Sequence, residues 1–197
     1  MENTSTQLPI QGQTPSSWAR HVLNNFEVFL LDHASCERKA AALAMSFVAK
    51  YSDRRFLIEP MISLAREELE HFAQVYRLLT KRGVAHLPPD EPDLYVNSML
   101  KQLRHGREEH FLDRLVCSGL IEARGWERFS VLAEHMEEGA LKTFYMDLAK
   151  REKGHYRVFI NIAEKYFTEQ EVDEAIQRIS NYEYEAMLQA PLTGRLH

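Results

Sequence analysis

The sequence predicts an all-α protein, a four-helix bundle with accessory helices. Three observations carry that expectation. Glycine and proline are scarce, 8 and 7 in 197 residues, which excludes turn-rich β folds and collagen-like or disordered chains. Apolar residues recur at alternating steps of four and three along four long stretches, the period of a helix with one buried stripe. A single long connection, over 84–106, interrupts them. With 45% hydrophobic and 27% charged residues, the chain can build one domain with a sizeable core.

Residues 1–15 are polar and contain Pro9, Gly12 and Pro15, so they are expected to form a loose N-terminal arm. Thr14-Pro15-Ser16-Ser17 offers capping chemistry, and Ser16 to Glu59 holds neither glycine nor proline. A first long helix should start there and break near Tyr51-Ser52-Asp53. A second should run from about Arg54 to Arg82 and end on Gly83, with Pro60 either kinking its first turns or marking a later start. The crossover 84–106 contains Pro88-Pro89-Asp90-Glu91-Pro92 and a short helix over Leu94 to Leu103. A third long helix spans Arg107 to about Glu137, and a fourth Ala140 to Phe167. Thr168-Glu169-Gln170-Glu171 then has the form of a capping box, opening an accessory helix over 168–190. One bundle domain is thus expected over 16–190.

The buried stripes have charged gaps. On the second helix Leu57, Met61, Leu64, Val75 and Leu78 define a seam whose missing members are Glu68 and His71. On the fourth, Leu141, Tyr145, Leu148, Phe159 and Ile162 define one whose missing members are Glu152 and His155. Glu37 takes the charged place among Phe26, Leu30, His33, Ala40, Ala44 and Phe47, and Glu122 does so among Phe111, Leu115, Phe129 and Ala133. Glu37 precedes Glu68 by 31 residues and Glu122 precedes Glu152 by 30, so the chain repeats one hairpin. Each midpoint falls on a predicted turn, which brings the paired acids to one height, roughly 20 Å from the turn at 1.5 Å per residue.

Four unpaired carboxylates in an apolar core would be costly, and bound cations remove the cost. A Glu from each of two helices and Glu-x-x-His from each of two others is the ligand pattern of dimetal carboxylate bundles. Oxygen-rich ligation with one nitrogen per metal favours iron or manganese. A single Glu-x-x-His is commonly a surface pair, but the two copies here, both on core seams, each follow a seam Glu by one hairpin. Glu67, Glu70, Glu108, Glu109 and Glu127 read as solvated helix faces, His33 as a histidine supporting Glu37, and Cys36 and Cys117 as small core residues. If the second and third helices run parallel, the chain must travel the bundle's length between them, and 84–106 is long enough to do so. The result is a ferritin-like crossover.

Fold and ligands alone leave several reactions open, including O2-dependent hydroxylation, iron oxidation for storage, peroxide disproportionation and tyrosyl-radical generation. Val75 and Phe159 stand where a radical-forming tyrosine would follow each motif histidine, and two cysteines cannot supply a rubredoxin module. Storage in a bacterioferritin-like shell remains an alternative at this point.

The words around the ligands narrow the field. Leu31-Asp32-His33-Ala34-Ser35-Cys36-Glu37-Arg38-Lys39-Ala40-Ala41, Glu67-Glu68-Leu69-Glu70-His71-Phe72, Gly119-Leu120-Ile121-Glu122-Ala123-Arg124 and Arg151-Glu152-Lys153-Gly154-His155-Tyr156 together resemble the MiaE family of tRNA hydroxylases, from about Phe26 to Tyr166. The resemblance implies a nonhaem diiron monooxygenase that uses O2 to hydroxylate the isopentenyl chain of 2-methylthio-N6-isopentenyladenosine beside the anticodon. It implies two iron ions, with Glu37, Glu68 and His71 as one half-site and Glu122, Glu152 and His155 as the other, Glu68 and Glu152 bridging. Electrons would come from a separate reductase or ferredoxin system. The chain departs from the family's pattern at Gly125-Trp126, where Ser-Cys more often follows the Glu-Ala-Arg.

The expected partner is therefore tRNA, bound by a monomer or small homo-oligomer. The formal charge of -5 argues against binding nucleic acid through bulk positive field alone. Metal compensation of four carboxylates would bring the remainder near neutral, leaving room for local basic clusters at Arg38-Lys39, Arg54-Arg55, Lys81-Arg82, Arg124 and Lys101, Arg104, Arg107 with His105. No basic, apolar leader opens the sequence, no stretch is apolar enough to span a membrane, and cysteines are few. A cytoplasmic setting is expected.

Overall fold

The computed structural model describes residues 9–196, and among them the secondary structure is helical throughout. The helices are α1 (Ser16–Asn24), α2 (Phe26–Lys50), α3 (Arg55–Lys81), α4 (Leu94–Leu100), α5 (Arg107–Glu134), α6 (Ala140–Ala163) and α7 (Glu169–Gln189). The fold is a ferritin-like four-helix bundle of two antiparallel hairpins, α2–α3 and α5–α6, each packed most closely within itself. No described helix is long and apolar enough to cross a membrane.

Local chemistry accounts for the ends. The first long helix divides at Asn25, whose φ of -125° leaves the helical region and whose side-chain amide donates to the carbonyl of His21. Such side-chain competition with the backbone is the usual reason for asparagine to interrupt a helix. Pro60 lies inside α3, which starts ahead of it at Arg55, and Tyr166 accepts the otherwise unpaired amide of Phe56. Gly83, at φ +84°, closes α3 as Val84 N–H reaches back to the carbonyl of Leu79 at 3.1 Å, a left-handed cap that glycine adopts without strain. The Thr168 capping box is present, its side chain accepting from the amide of Glu171 while the Glu171 carboxylate accepts from Thr168.

Ring contacts fix the directions. Phe111 at the start of α5 lies 4.5 Å from Tyr51 at the end of α2, and Arg82 at the end of α3 sits over Phe26 at the start of α2. Helices α3 and α5 therefore run parallel, and residues 82–106 traverse the bundle between them. On that path α4 packs against α7 and α5. Three apolar blocks fill the interior among the described residues: one with Phe47, Leu57, Met61, Phe111, Leu115 and Phe159 toward one end, and toward the other end one with Phe29, Phe129, Leu132, Tyr145 and Leu148 and a smaller one with Leu30, Ala34, Val75 and Leu79. Between the two ends lies a polar layer.

The arm expected to be loose over 1–15 is held where it is described. Buried Arg124 donates to the carbonyls of Gln11 and Gly12, and the Thr14 amide and hydroxyl each donate to buried Glu127 at 2.6 Å. Residues 1–8 lie outside the described residues. Arg124 also makes a two-pronged pair with Glu183 of α7, at 2.7 and 2.9 Å. Charge pairing, which the composition of the arm does not reveal, fixes this segment.

Candidate metal centre

Each Glu-x-x-His occupies neighbouring turns of one helix, so both side chains project from the same face. Helices α3 and α6 present these faces to each other, and ligand atoms of Glu68, His71, Glu152 and His155 all lie within 4.8 Å of one another, fully buried. His155 Nδ1 is 2.8 Å from Glu68 Oε1 and 3.2 Å from Glu152 Oε2. His71 Nδ1 is 3.3 Å from Glu68 Oε2 and 3.7 Å from Glu152 Oε1. Glu68 and Glu152 thus each lie between the two imidazoles. Glu37 of α2 joins from the side, with Oε2 3.6 Å from His71 Nδ1. Glu122 of α5 rests against Glu152 and is influenced by Glu68, its carboxyl group deep while part of the residue borders open space. All six predicted residues meet in one layer, four in a tight group and two flanking it.

The electrostatics are those of a concentrated anionic site. Burial alone would raise Glu37, but the hydrogen bond to His33 and the neighbouring His71 imidazole lower its pKa to about 2. Burial would lower His71 and His155, yet the carboxylates beside them raise the former to about 10 and the latter to about 12. Burial pushes Glu122 well above the usual range, with the charges of Glu68 and Glu152 adding to the effect. Glu68 Oε1, Glu152 Oε1 and both ring nitrogens of His71 are buried without a properly aligned hydrogen bond. Polar atoms are rarely left this way in a protein interior. Their convergence is the physical sign that the donor set fits metal cations.

A family model described as tRNA-(MS[2]IO[6]A)-hydroxylase (MiaE) matches residues 3–197. The chain belongs to the MiaE family. It is 38% identical over 178 residues to the tRNA 2-(methylsulfanyl)-N(6)-isopentenyladenosine(37) hydroxylase of Pseudomonas putida, covering 90% of this chain and 85% of the relative. The enzyme of the same name from Salmonella typhimurium is 27% identical over 233 residues, covering 93% and 85%. Among solved structures, a Synechococcus protein with aldehyde deformylating oxygenase activity superposes with a TM-score of 0.89 at 34% identity, covering 95% of this chain and 94% of its own.

In this MiaE-family chain a cavity of about 260 Å³ opens between α2 and α5 onto the acid layer. Glu37, Glu68, Glu122 and Glu152 form its floor, and Ala40, Leu43, Val96, Ile121, Phe129 and Leu196 give it apolar walls. Leu196 is placed by its backbone: its amide donates to Asp32 at 2.9 Å and its carbonyl accepts from Arg128. Nothing in the local sequence announces that position.

Several supporting residues emerge with the geometry. His33 behaves as expected, with Nε2 2.6 Å from Glu37 and Nδ1 3.2 Å from the Tyr145 hydroxyl. Glu67, expected to be only solvated, is half exposed but brings Oε2 to 3.3 Å from His155 Nε2, the outer nitrogen whose partner sets a ligating imidazole's orientation. Glu127, also expected on a solvated face, is buried with Arg124 and Thr14, whereas Glu70, Glu108 and Glu109 are exposed. Cys117 is a buried core residue, while Cys36 borders the cavity. Of the basic clusters, Arg124 is fully buried, Arg104 pairs with Asp113, Arg107 with Asp53, and Arg38 with Asp90. These pairs consume charge that the sequence left free.

Proposed function

We propose that the protein is an O2-dependent diiron monooxygenase that hydroxylates the isopentenyl chain of 2-methylthio-N6-isopentenyladenosine beside the anticodon of tRNA. The observation that carries this reading is an apolar cavity whose floor is the carboxylate layer itself. It suits a hydrocarbon group that must reach a metal, and family membership supports the same substrate. Glu37, Glu68 and His71 would hold one iron and Glu122, Glu152 and His155 the other, with Glu68 and Glu152, each set between the histidines, shared. The metal pair would supply O2 activation, one oxygen atom entering a C–H bond and the other leaving as water, with two electrons from a reductase or ferredoxin and two protons from solvent.

The chain's own residues bind and orient. Leu43, Val96, Ile121 and Phe129 exclude water and receive the five-carbon chain, whose burial contributes about 4 kcal/mol at about 0.8 kcal/mol per carbon. The base is splayed from its loop so that only its N6 substituent enters, leaving the ring near Lys39 and Asp93 at the rim. Glu67 holds His155, and His33 with Tyr145 holds Glu37. The same reading treats 16–190 as one bundle domain, acting in the cytoplasm as a monomer or small homo-oligomer.

A single-turnover assay with Fe(II)-loaded protein, O2 and tRNA bearing the isopentenylated base tests it, read by nucleoside mass spectrometry. The expected product is one oxygen heavier, and Glu68→Ala or His155→Ala should abolish it while the bundle stays folded. Oxidation of Fe(II) with O2 consumed and the nucleoside unchanged would overturn the proposal in favour of an iron-oxidising storage or detoxification protein.

A further inference from the structure

Helix α5 carries two interior glycines with different reasons for being there. A Cβ at Gly119 would lie 3.3 Å from the Tyr156 ring and 3.4 Å from Phe159, so that glycine lets α6 approach. Beyond its chain neighbours and its own helix backbone, a Cβ at Gly125 would meet no atom within 4 Å, although Gly125 is buried. Gly154 on α6 also has open space, but it faces solvent. A residue that is buried and yet borders nothing must border a void, and Gly125 lines the cavity above the acid layer.

Its backbone is not in the left-handed region that favours glycine, and a glycine inside a helix is less favourable than alanine. Conformation, packing and propensity therefore give no reason for glycine here; the space does. Gly125 follows Glu122 by three residues, and on the facing helix Ala40 follows Glu37 by three. The two small residues flank the cavity at matching positions in the repeat.

We infer that Gly125 is a specificity-determining residue: its missing side chain keeps open the width of cavity through which a branched apolar N6 substituent reaches the carboxylates. This rests on the functional reading above. A β-branched side chain at 125 would occupy that width, and a methyl group would take part of it.

The test is binding of anticodon stem-loops carrying N6-isopentenyladenosine or unmodified adenosine to the full-length Fe(II)-loaded protein without O2, so that no turnover intervenes. The wild type should prefer the isopentenylated loop. Gly125→Val should lose about tenfold or more of affinity for it, with binding of the unmodified loop and iron content unchanged. Gly125→Ala should lose less and unfold at the same or a higher temperature. Gly125→Val binding the isopentenylated loop as tightly as wild type would overturn the assignment, as would an unfolding temperature lowered in Gly125→Ala, which would mean that packing requires the glycine. A wild type that does not distinguish the loops would instead overturn the functional reading on which the assignment rests.

Discussion

Loading the centre with metal should expel protons, in a number set by its side chains. In the metal-free protein burial opposes charge on His71 and His155, but adjoining carboxylates hold their pKa values at about 10 and about 12. Both imidazoles are therefore protonated at pH 7, and a histidine ligates only when the donor nitrogen is free. Under the proposed ligand set two protons would leave as these residues coordinate, and Glu122, raised by burial, would add any proton it holds. By linkage, binding of both ions strengthens near neutrality by at least about two decades per pH unit, or about 2.7 kcal/mol. Anaerobic calorimetric titration of metal-free protein with Fe(II), in buffers of different ionisation heat, gives the proton number as the slope of heat against buffer enthalpy. A slope of zero would refute the reasoning, because it would mean that the imidazoles are already neutral. The stability of the metal-free fold follows with its own sign. A raised folded-state pKa gives stabilisation that is complete below the unfolded value of 6.5 and lost as pH climbs through about 10 and about 12. The gap between loaded and metal-free unfolding midpoints should therefore widen from pH 7 to pH 10.

Arg124→Met removes the counterion of buried Glu183 and Glu127 and should destabilise the fold by about 3–5 kcal/mol in urea titrations; a loss below about 1 kcal/mol would contradict the pairing. Glu67→Gln should weaken metal binding about tenfold or more through His155, with unfolding of the metal-free protein little changed, and equal affinities would make the contact incidental. Asp113 would be raised by burial, but Arg104 and Arg178 hold its carboxyl below the usual 3.8. Its stabilisation is present above that value and fades as pH falls through the folded-state pKa. Asp113→Asn should accordingly flatten the decline of the urea midpoint between pH 5 and pH 2, and an unchanged acid limb would count against the ion pairs.

The four long helices and the acid layer were legible because both are periodic. Glu68 and His71, like Glu152 and His155, interrupt seams that are otherwise apolar, and a carboxylate there demands a reason. Hairpin spacing supplied the pairing of helices without any three-dimensional information. What stayed hidden depends on contacts distant along the chain. Arg124 and Glu127 look like an ordinary surface pair three residues apart; their burial is set by Glu183, 59 residues from Arg124, and by the arm at Thr14. Glu67 sits on an exposed face, and only the approach of α6 gives it His155. Asn25 divides the first helix through a local side-chain bond to the carbonyl of His21, which the residue type alone does not announce. Leu196 enters the cavity wall through backbone hydrogen bonds to Asp32 and Arg128, which carry no side-chain signature.

The two hairpins are tightly packed within themselves and more sparsely against each other, and the cavity occupies that looser seam. Filling it with larger side chains would raise cohesion and erase the entrance to the carboxylates. The fold thus trades interior density for access, and it offsets the loss at the periphery, where Arg124 ties α5 to α7 and the N-terminal segment, and Asp113 ties it to Arg104 and Arg178. Fastenings placed outside the seam let the halves stay joined while leaving a gap where chemistry can enter.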